Sequence, residues 1–301
     1  NFIQWRWHAI ALSVVVILAG FGVMVTRGLP LGIDFSGGTI VVLKFQQPVG
    51  EDALRRSLDA VPGEKVVQQF GDAGANEWLV RLPEITTEEG ASLEQGARAV
   101  VDAVTKANLG QFEVISQEIV GPVIGADLQR KGIYATLASI VGITIYIGIR
   151  FRFAFAIGAI AATLHDILVT LAFLTFFGYD LSLNIVAAIL TITGYSVNDT
   201  IVIFDRVREN LRSKRRESLE TVVNTSVNQT LSRTLITAGT TFMAVLSLYL
   251  FGGEVLEGFA FTMLVGIVSG TYSTVFIAAA IAILLSGKQA QGRTQTARKA
   301  S

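Results

Sequence analysis

Apolar residues fall into two kinds of run along this chain. Long unbroken runs lie near the start and through the second half, and short alternating runs lie between them. Crossing a bilayer takes roughly 17–25 mainly apolar residues. The first run that long is about Ala9–Val25 (AIALSVVVILAGFGVMV). Arg6 precedes it, so a cleaved signal peptide is the alternative. No A-x-A site follows, and the chain runs straight into TRGLPLGIDFSGG, which favours a retained anchor. The other long runs form one block: about Ile133–Ile149, Phe153–Phe177, Leu183–Phe204, Leu231–Phe251 and Val255–Leu285. The connectors Arg150–Arg152, Gly178–Ser182 and Gly252–Glu254 are short, which forces antiparallel neighbours in a packed bundle. Six spans put both termini on one side.

Between the first and second spans the hydrophobic period changes. Thr39–Gln46 (TIVVLKFQ) predicts a strand, and Glu51–Val61 a short amphipathic helix with Ala53, Leu54, Leu58 and Val61 on one face. Lys65–Phe70 and Glu77–Leu82 predict strands separated by a turn at Gly71–Gly74. Ser92–Ala107 predicts a second helix with Ser92 as its cap, and Phe112–Val120 a last strand. The order β-α-β-β-α-β is that of a small ferredoxin-like sandwich. The expected fold class is therefore a polytopic α-helical membrane protein. It has six transmembrane helices and a small α+β ferredoxin-like domain between helices 1 and 2.

Composition sharpens this picture. Of 301 residues, 51% are hydrophobic and only 16% charged, against about a quarter charged in soluble domains. There is no cysteine and there are only two histidines, so thiol chemistry, iron–sulfur clusters and Cys- or His-rich metal sites are excluded. The 24 basic and 24 acidic residues balance, which gives no bulk case for nucleic acid. The chain starts at Asn1, so some preceding sequence is expected to be missing. Basic residues cluster on one side of the spans: Arg6, Arg150, Arg152, the run Arg206 to Arg216, and the tail Lys288, Arg293, Arg298 and Lys299. The opposite short loops carry Asp180, Glu254 and Glu257 without Lys or Arg. The basic side is therefore read as cytoplasmic, with both termini inside. The segments are 1–26, an anchor; 27–131, an outer α+β domain; 132–286, a five-helix bundle with a cytoplasmic loop about 205–232; and 287–301, a cytoplasmic tail.

Ionisable groups at membrane depth are the candidate chemistry, since each costs about 2.5–3.5 kcal/mol at a span's centre on insertion scales. The fourth span ends TITGYSVNDTIVIFDRVREN, with Asp199 about 7–8 Å inside its estimated end. It needs a partner, a proton or a water-filled cleft. Asn184, Thr191, Asn198 and Asp205 recur every seven residues and form one polar stripe, with Asp199 and Thr200 beside it. Arg233, at the start of the fifth span, either snorkels or pairs with Asp199. Such a pair would hold Asp199 ionised in one state and release it to take up a proton in another. His165 and Asp166 form a second polar site in the third span, a relay or a helix–helix lock, with structural support the favoured reading. Gly266 and Gly270 fit close helix packing. Gly32-Ile-Asp34-Phe-Ser-Gly37-Gly38 joins anchor to outer domain, either as a turn or as a hinge. The run Arg212 to Arg216 suits an anionic-lipid anchor. No nucleophile–base pair, metal cluster or nucleotide loop is present in the pattern, so no enzyme is expected.

Two strings carry a family resemblance: Gly32–Gly38 (GIDFSGG) and Gly194–Asn210 (GYSVNDTIVIFDRVREN). The chain resembles the SecF type of the SecD/SecF family of protein-export subunits, which is related to the resistance–nodulation–division transporters. The resemblance spans essentially the whole chain. It implies a location in the bacterial inner membrane, with residues about 27–131 periplasmic. It implies a complex with SecD beside the SecYEG channel, acting on unfolded exported preproteins after SecA, which works from the cytoplasmic side. It implies that the proton motive force drives late export, with Asp199 and Arg233 in the proton-transport site and SecD supplying another aspartate. No cofactor is implied; the transported ion is H+, with Na+ the alternative. Two other readings stay open: an exporter of small molecules or lipids, and a passive scaffold of the translocase.

Overall fold

The computed structural model describes all residues except 29–30, 63–64, 71–73, 83–92, 215 and 287–301. The expected turn at Gly71–Ala73, the Ser92 cap, Arg215 and the basic tail residues lie outside the described residues. Element order is α1 (Arg6–Arg27), α2 (Ile33–Ser36), β1 (Gly38–Phe45), α3 (Glu51–Ser57), β2 (Val66–Phe70), β3 (Glu77–Leu82), α4 (Leu93–Ala107) and β4 (Phe112–Val120). The long helices follow: α5 (Pro122–Arg150), α6 (Phe153–Phe177), α7 (Leu183–Ser213), α8 (Leu219–Phe251) and α9 (Glu254–Ser273). A π turn at Thr274–Ala278 carries the last span on to Ser286. Six helices among the described residues are long and apolar enough to cross a membrane.

The four strands form one antiparallel sheet in the order β2-β3-β1-β4, the split arrangement of the ferredoxin-like sandwich. Alternation along β1 sends Val41, Leu43 and Phe45 to one face, where they meet Val67, Trp78, Val80 and Leu82 of the partner strands. Leu54 and Leu58, with Ala97, Val100 and Val104 of α4, close that core. The first helix of this domain ends at Ser57, four residues short of its expected end at Val61. Leu58 caps it, and Val61 reaches the core from the turn beyond.

Three spans are longer than hydropathy alone suggests. α5 starts eleven residues before Ile133, because Pro122 opens the helix and a mixed polar stretch continues it outside the apolar run. α7 continues to Ser213 and α8 begins at Leu219, so most of 205–232 is a helical hairpin and not an open loop. Polar pairing holds it: buried Asn210 donates to Ser226 Oγ (2.8 Å) and Gln229 Oε1 (2.9 Å). Ser218 caps α8 by accepting from the Thr221 N–H. Hydropathy reports only lipid contact and misses such extensions.

The last span is the centre of the bundle, with 67% of its apolar window buried, against 6% for α5 and 11% for α8. Small residues allow the close approaches. A Cβ on Gly266 would meet the Ile192 side chain at 2.2 Å, and one on Gly270 would meet Ser196 at 3.0 Å. The G-x-x-x-G pair thus lies directly on α7. Gly158 of α6 faces the π turn, where an added Cβ would stand 2.5 Å from the Ala278 carbonyl oxygen. Backbone cannot yield as a flexible side chain can. Gly158→Val is therefore expected to destabilise the protein by about 1–3 kcal/mol, read as a lower thermal unfolding midpoint in detergent. Gly142→Ala, where nothing lies within 4 Å, should not lower that midpoint, since alanine favours a helix interior.

Candidate functional site

Polar side chains converge inside the bundle at two places with different geometry. The first is Asp166 on α6, only 1% exposed. Its Oδ1 accepts from Ser269 Oγ (2.7 Å) and lies 3.0 Å from His165 Nδ1. Its Oδ2 accepts from Ser196 Oγ (2.5 Å) and Ser273 Oγ (2.8 Å). His165 Nε2 reaches Ser13 on α1 (2.8 Å), and its ring stacks on Tyr272, whose hydroxyl donates to the Ala9 carbonyl. One carboxylate therefore ties α6 to α7 and α9, and through His165 to α1. Charge-assisted bonds of this kind are about twice as strong as neutral ones.

The second place is Asp199 on α7, 7% exposed. Its Oδ1 accepts from Thr234 Oγ1 on α8 (3.2 Å), while Oδ2 is buried with no hydrogen-bond partner among the described residues. Arg233, next to Thr234, is exposed on α8 and makes no ion pair among the described residues. Thr200 is buried and meets Thr274 Oγ1 (3.0 Å) at the start of the π turn. Asn184, Thr191 and Asn198 stand on the exposed face of α7. That stripe turns away from this chain's own interior. Asp205 closes it as an ion pair with Arg150 across α5 and α7 (2.7 Å).

At the outer end the Gly32–Gly38 segment is docked on the bundle. The Gly32 N–H donates to the Leu181 carbonyl (2.8 Å), and Leu31 and Leu181 form a parallel bridge. Asp34 Oδ2 accepts from the Leu183 N–H (2.8 Å), so it caps the very helix that carries Asp199, alongside Ser182. Gly37 and Gly38 take φ of 71° and 129°, which side chains resist. Gly125 of α5 lies against this turn, where a Cβ would stand 3.1 Å from the Gly37 nitrogen. Arg81 of β3 pairs with Asp180 in the α6–α7 connector, and burial pushes its guanidinium pKa down. Beside it, Tyr179 donates to Glu257 (2.5 Å) and stacks on Phe261. Burial first, and then that hydrogen bond, raise the Tyr179 pKa well above the ordinary tyrosine value.

The structure brings His165 and Asp166 together and buries Asp199 and Thr200. It keeps Arg233 and Asn198 on the chain's surface. Sequence reasoning missed the hydroxyls: Ser13, Ser196, Thr234, Ser269, Ser273 and Thr274. Ser269 and Ser273, four apart in an apolar span, were the available signal. The Arg81–Asp180 pair had none, because its partners are far apart in the chain.

Fold and site together define a polytopic membrane protein with carboxylates buried among its spans and a small α+β domain at one end. Residues 100–288 match the family model for the C-terminal part of the protein export membrane proteins SecD/SecF. Residues 22–49 match the SecD/SecF GG motif. The protein translocase subunit SecF of Desulfurispirillum indicum is 43% identical over 94% of this chain and 90% of that protein. SecF of Escherichia coli O157:H7 is 39% identical over 96% and 88%. A crystal structure of SecDF from Thermus thermophilus superposes with a TM-score of 0.84 at 34% identity over 95% of this chain. This chain spans 38% of that longer one. SecDF in a super-membrane-facing form gives 0.71 at the same identity. The chain belongs to the SecD/SecF family, on its SecF side, and is a translocase subunit rather than an enzyme.

Two outcomes follow from this geometry. Asp166→Asn turns an amide donor onto hydroxyls that need an acceptor, and is expected to destabilise the bundle by on the order of 3 kcal/mol, seen as a lower thermal midpoint. Tyr179 stays neutral when folded but ionises near pH 10 when unfolded. Its stabilising effect is full below pH 10 and shrinks as pH rises further. The thermal-midpoint gap between wild type and Tyr179→Phe should therefore narrow between pH 8 and pH 11.

Proposed function

We propose that this chain is the SecF half of a SecD–SecF machine that uses the proton motive force to promote the late stage of protein export through the SecYEG channel. Asp199 is the group that takes up and releases the ion, H+ in the first instance and Na+ as the other candidate. The observation that carries this is the contrast between two buried carboxylates. Asp166 accepts four side-chain contacts and has no oxygen to spare. Asp199 holds one weak hydroxyl contact and leaves Oδ2 free. A lock satisfies its carboxylate; a carboxylate that must change protonation keeps an oxygen available. The scaffold role falls to Asp166, and the working role to Asp199 with Arg233.

The exposed stripe Asn184, Thr191 and Asn198 cannot face hydrocarbon cheaply. SecD, with its own aspartate, is the partner that covers it and completes the ion site. The longer SecDF chain supports this, since the part unmatched by this chain is available to supply that half. Positive-inside asymmetry places both termini in the cytoplasm, with SecA on that side. It places residues 27–131 in the periplasm, where they act on the unfolded preprotein. The bundle sits in the bacterial inner membrane, and the Arg212 to Arg216 run rests on anionic lipid. Asp34 and the Gly37–Gly38 turn form the pivot: one carboxylate caps α7, and two glycines let the outer domain swing about that cap. The lower superposition on the super-membrane-facing form supports more than one arrangement of this fold.

Asp199→Asn is expected to abolish proton-gradient-dependent export and proton flux in vesicles reconstituted with the complex, while assembly with SecD is kept. Full export in that variant overturns the reading.

A further inference from the structure

At the arginine-rich end of the bundle the chain builds a cavity of about 500 Å³ between the α5–α6 connector and α7. Arg208 and Arg212, four apart, share one face of α7, and Arg152 approaches from the connector. None of these three side chains makes an ion pair or hydrogen bond among the described residues. A fourth arginine in the wall, Arg150, is already neutralised by Asp205 (2.7 Å). Three uncompensated guanidinium groups around one cavity repel each other. The rest of the wall is apolar, Phe151, Phe155, Phe204 and Leu211, with Phe204 edge-on against Phe155 at 5.1 Å and part of the bundle core.

We propose that this cavity binds the phosphate of an anionic phospholipid. Guanidinium groups suit phosphate oxygens through paired N–H donors. A soluble anion would need no apolar wall, whereas a lipid phosphate carries its ester and chain region directly beside the charge. The site lies where the spans meet the charged end of the bundle, the level at which basic pockets between helices take lipid headgroups. It shares Arg212 with the surface run 212–216, but Arg152, Arg208 and the apolar floor lie outside that run. The proposal does not depend on Asp199 or on ion flow, so either can fail alone.

The test uses the full chain in detergent, titrated with a phosphatidylglycerol, with a phosphatidylcholine of the same chains, and with inorganic phosphate. Bound lipid is counted by native mass spectrometry. Wild type should retain phosphatidylglycerol over phosphatidylcholine. Arg152→Gln combined with Arg208→Gln, both outside the 212–216 run, should weaken phosphatidylglycerol binding roughly thirtyfold, and Lys106→Gln combined with Lys131→Gln should not change it. If the double arginine variant unfolds, Arg152→Gln alone, an exposed position, should weaken binding roughly fivefold. Unchanged phosphatidylglycerol binding in the arginine variants overturns the proposal. So does displacement of lipid by equimolar inorganic phosphate, which would make this a soluble-anion site.

Discussion

Everything in this bundle depends on one rule of the bilayer interior: a polar group there must find its partner within protein. Asp166 obeys it completely. Its two oxygens gather three serine hydroxyls and an imidazole from α6, α7 and α9, and the imidazole reaches on to α1. Removing the charge would leave several donors facing nothing. The close glycine contacts of Gly266 and Gly270 with α7 make this possible, because only a short interhelical distance lets serine hydroxyls span the gap. Packing and polar satisfaction are therefore one design.

Against that rigid centre, Asp199 stands out by being left half satisfied. It lies three residues beyond Ser196, so the helix that Asp166 holds also sets its depth and rotation. The same α7 is capped at its outer end by Asp34 and Ser182, and paired at its other end through Asp205 with Arg150. A single helix of 31 residues thus links the α+β domain, the buried Asp199 and the basic surface. A displacement at either end is carried along a rod, since hydrogen-bonded backbone resists bending.

The outer domain is attached through more than its covalent tether. The Arg81–Asp180 pair, the Leu31–Leu181 bridge and the Tyr179–Glu257 contact all meet at the α6–α7 connector. Arg81 and Tyr179 are partly desolvated there, so these contacts hold the connector firmly.

Periodicity in the amino-acid chain determined six spans, the β-α-β-β-α-β order, the polar string around Asp199 and the charge asymmetry of the loops. These are local signals: apolar length, alternation and residue type report on one segment at a time. The helices run past Ile133, Phe204 and Leu231 because Pro122 opens α5 early and polar pairing between α7 and α8 supports their hairpin. Only the tertiary structure decided that Asp166 is saturated and Asp199 is not, that Asn198 faces outward, and that Arg152, Arg208 and Arg212 surround one cavity. Those outcomes depend on how each helix is rotated and how deep it sits against its neighbours. Contacts between distant segments set both, and no short stretch of sequence contains them.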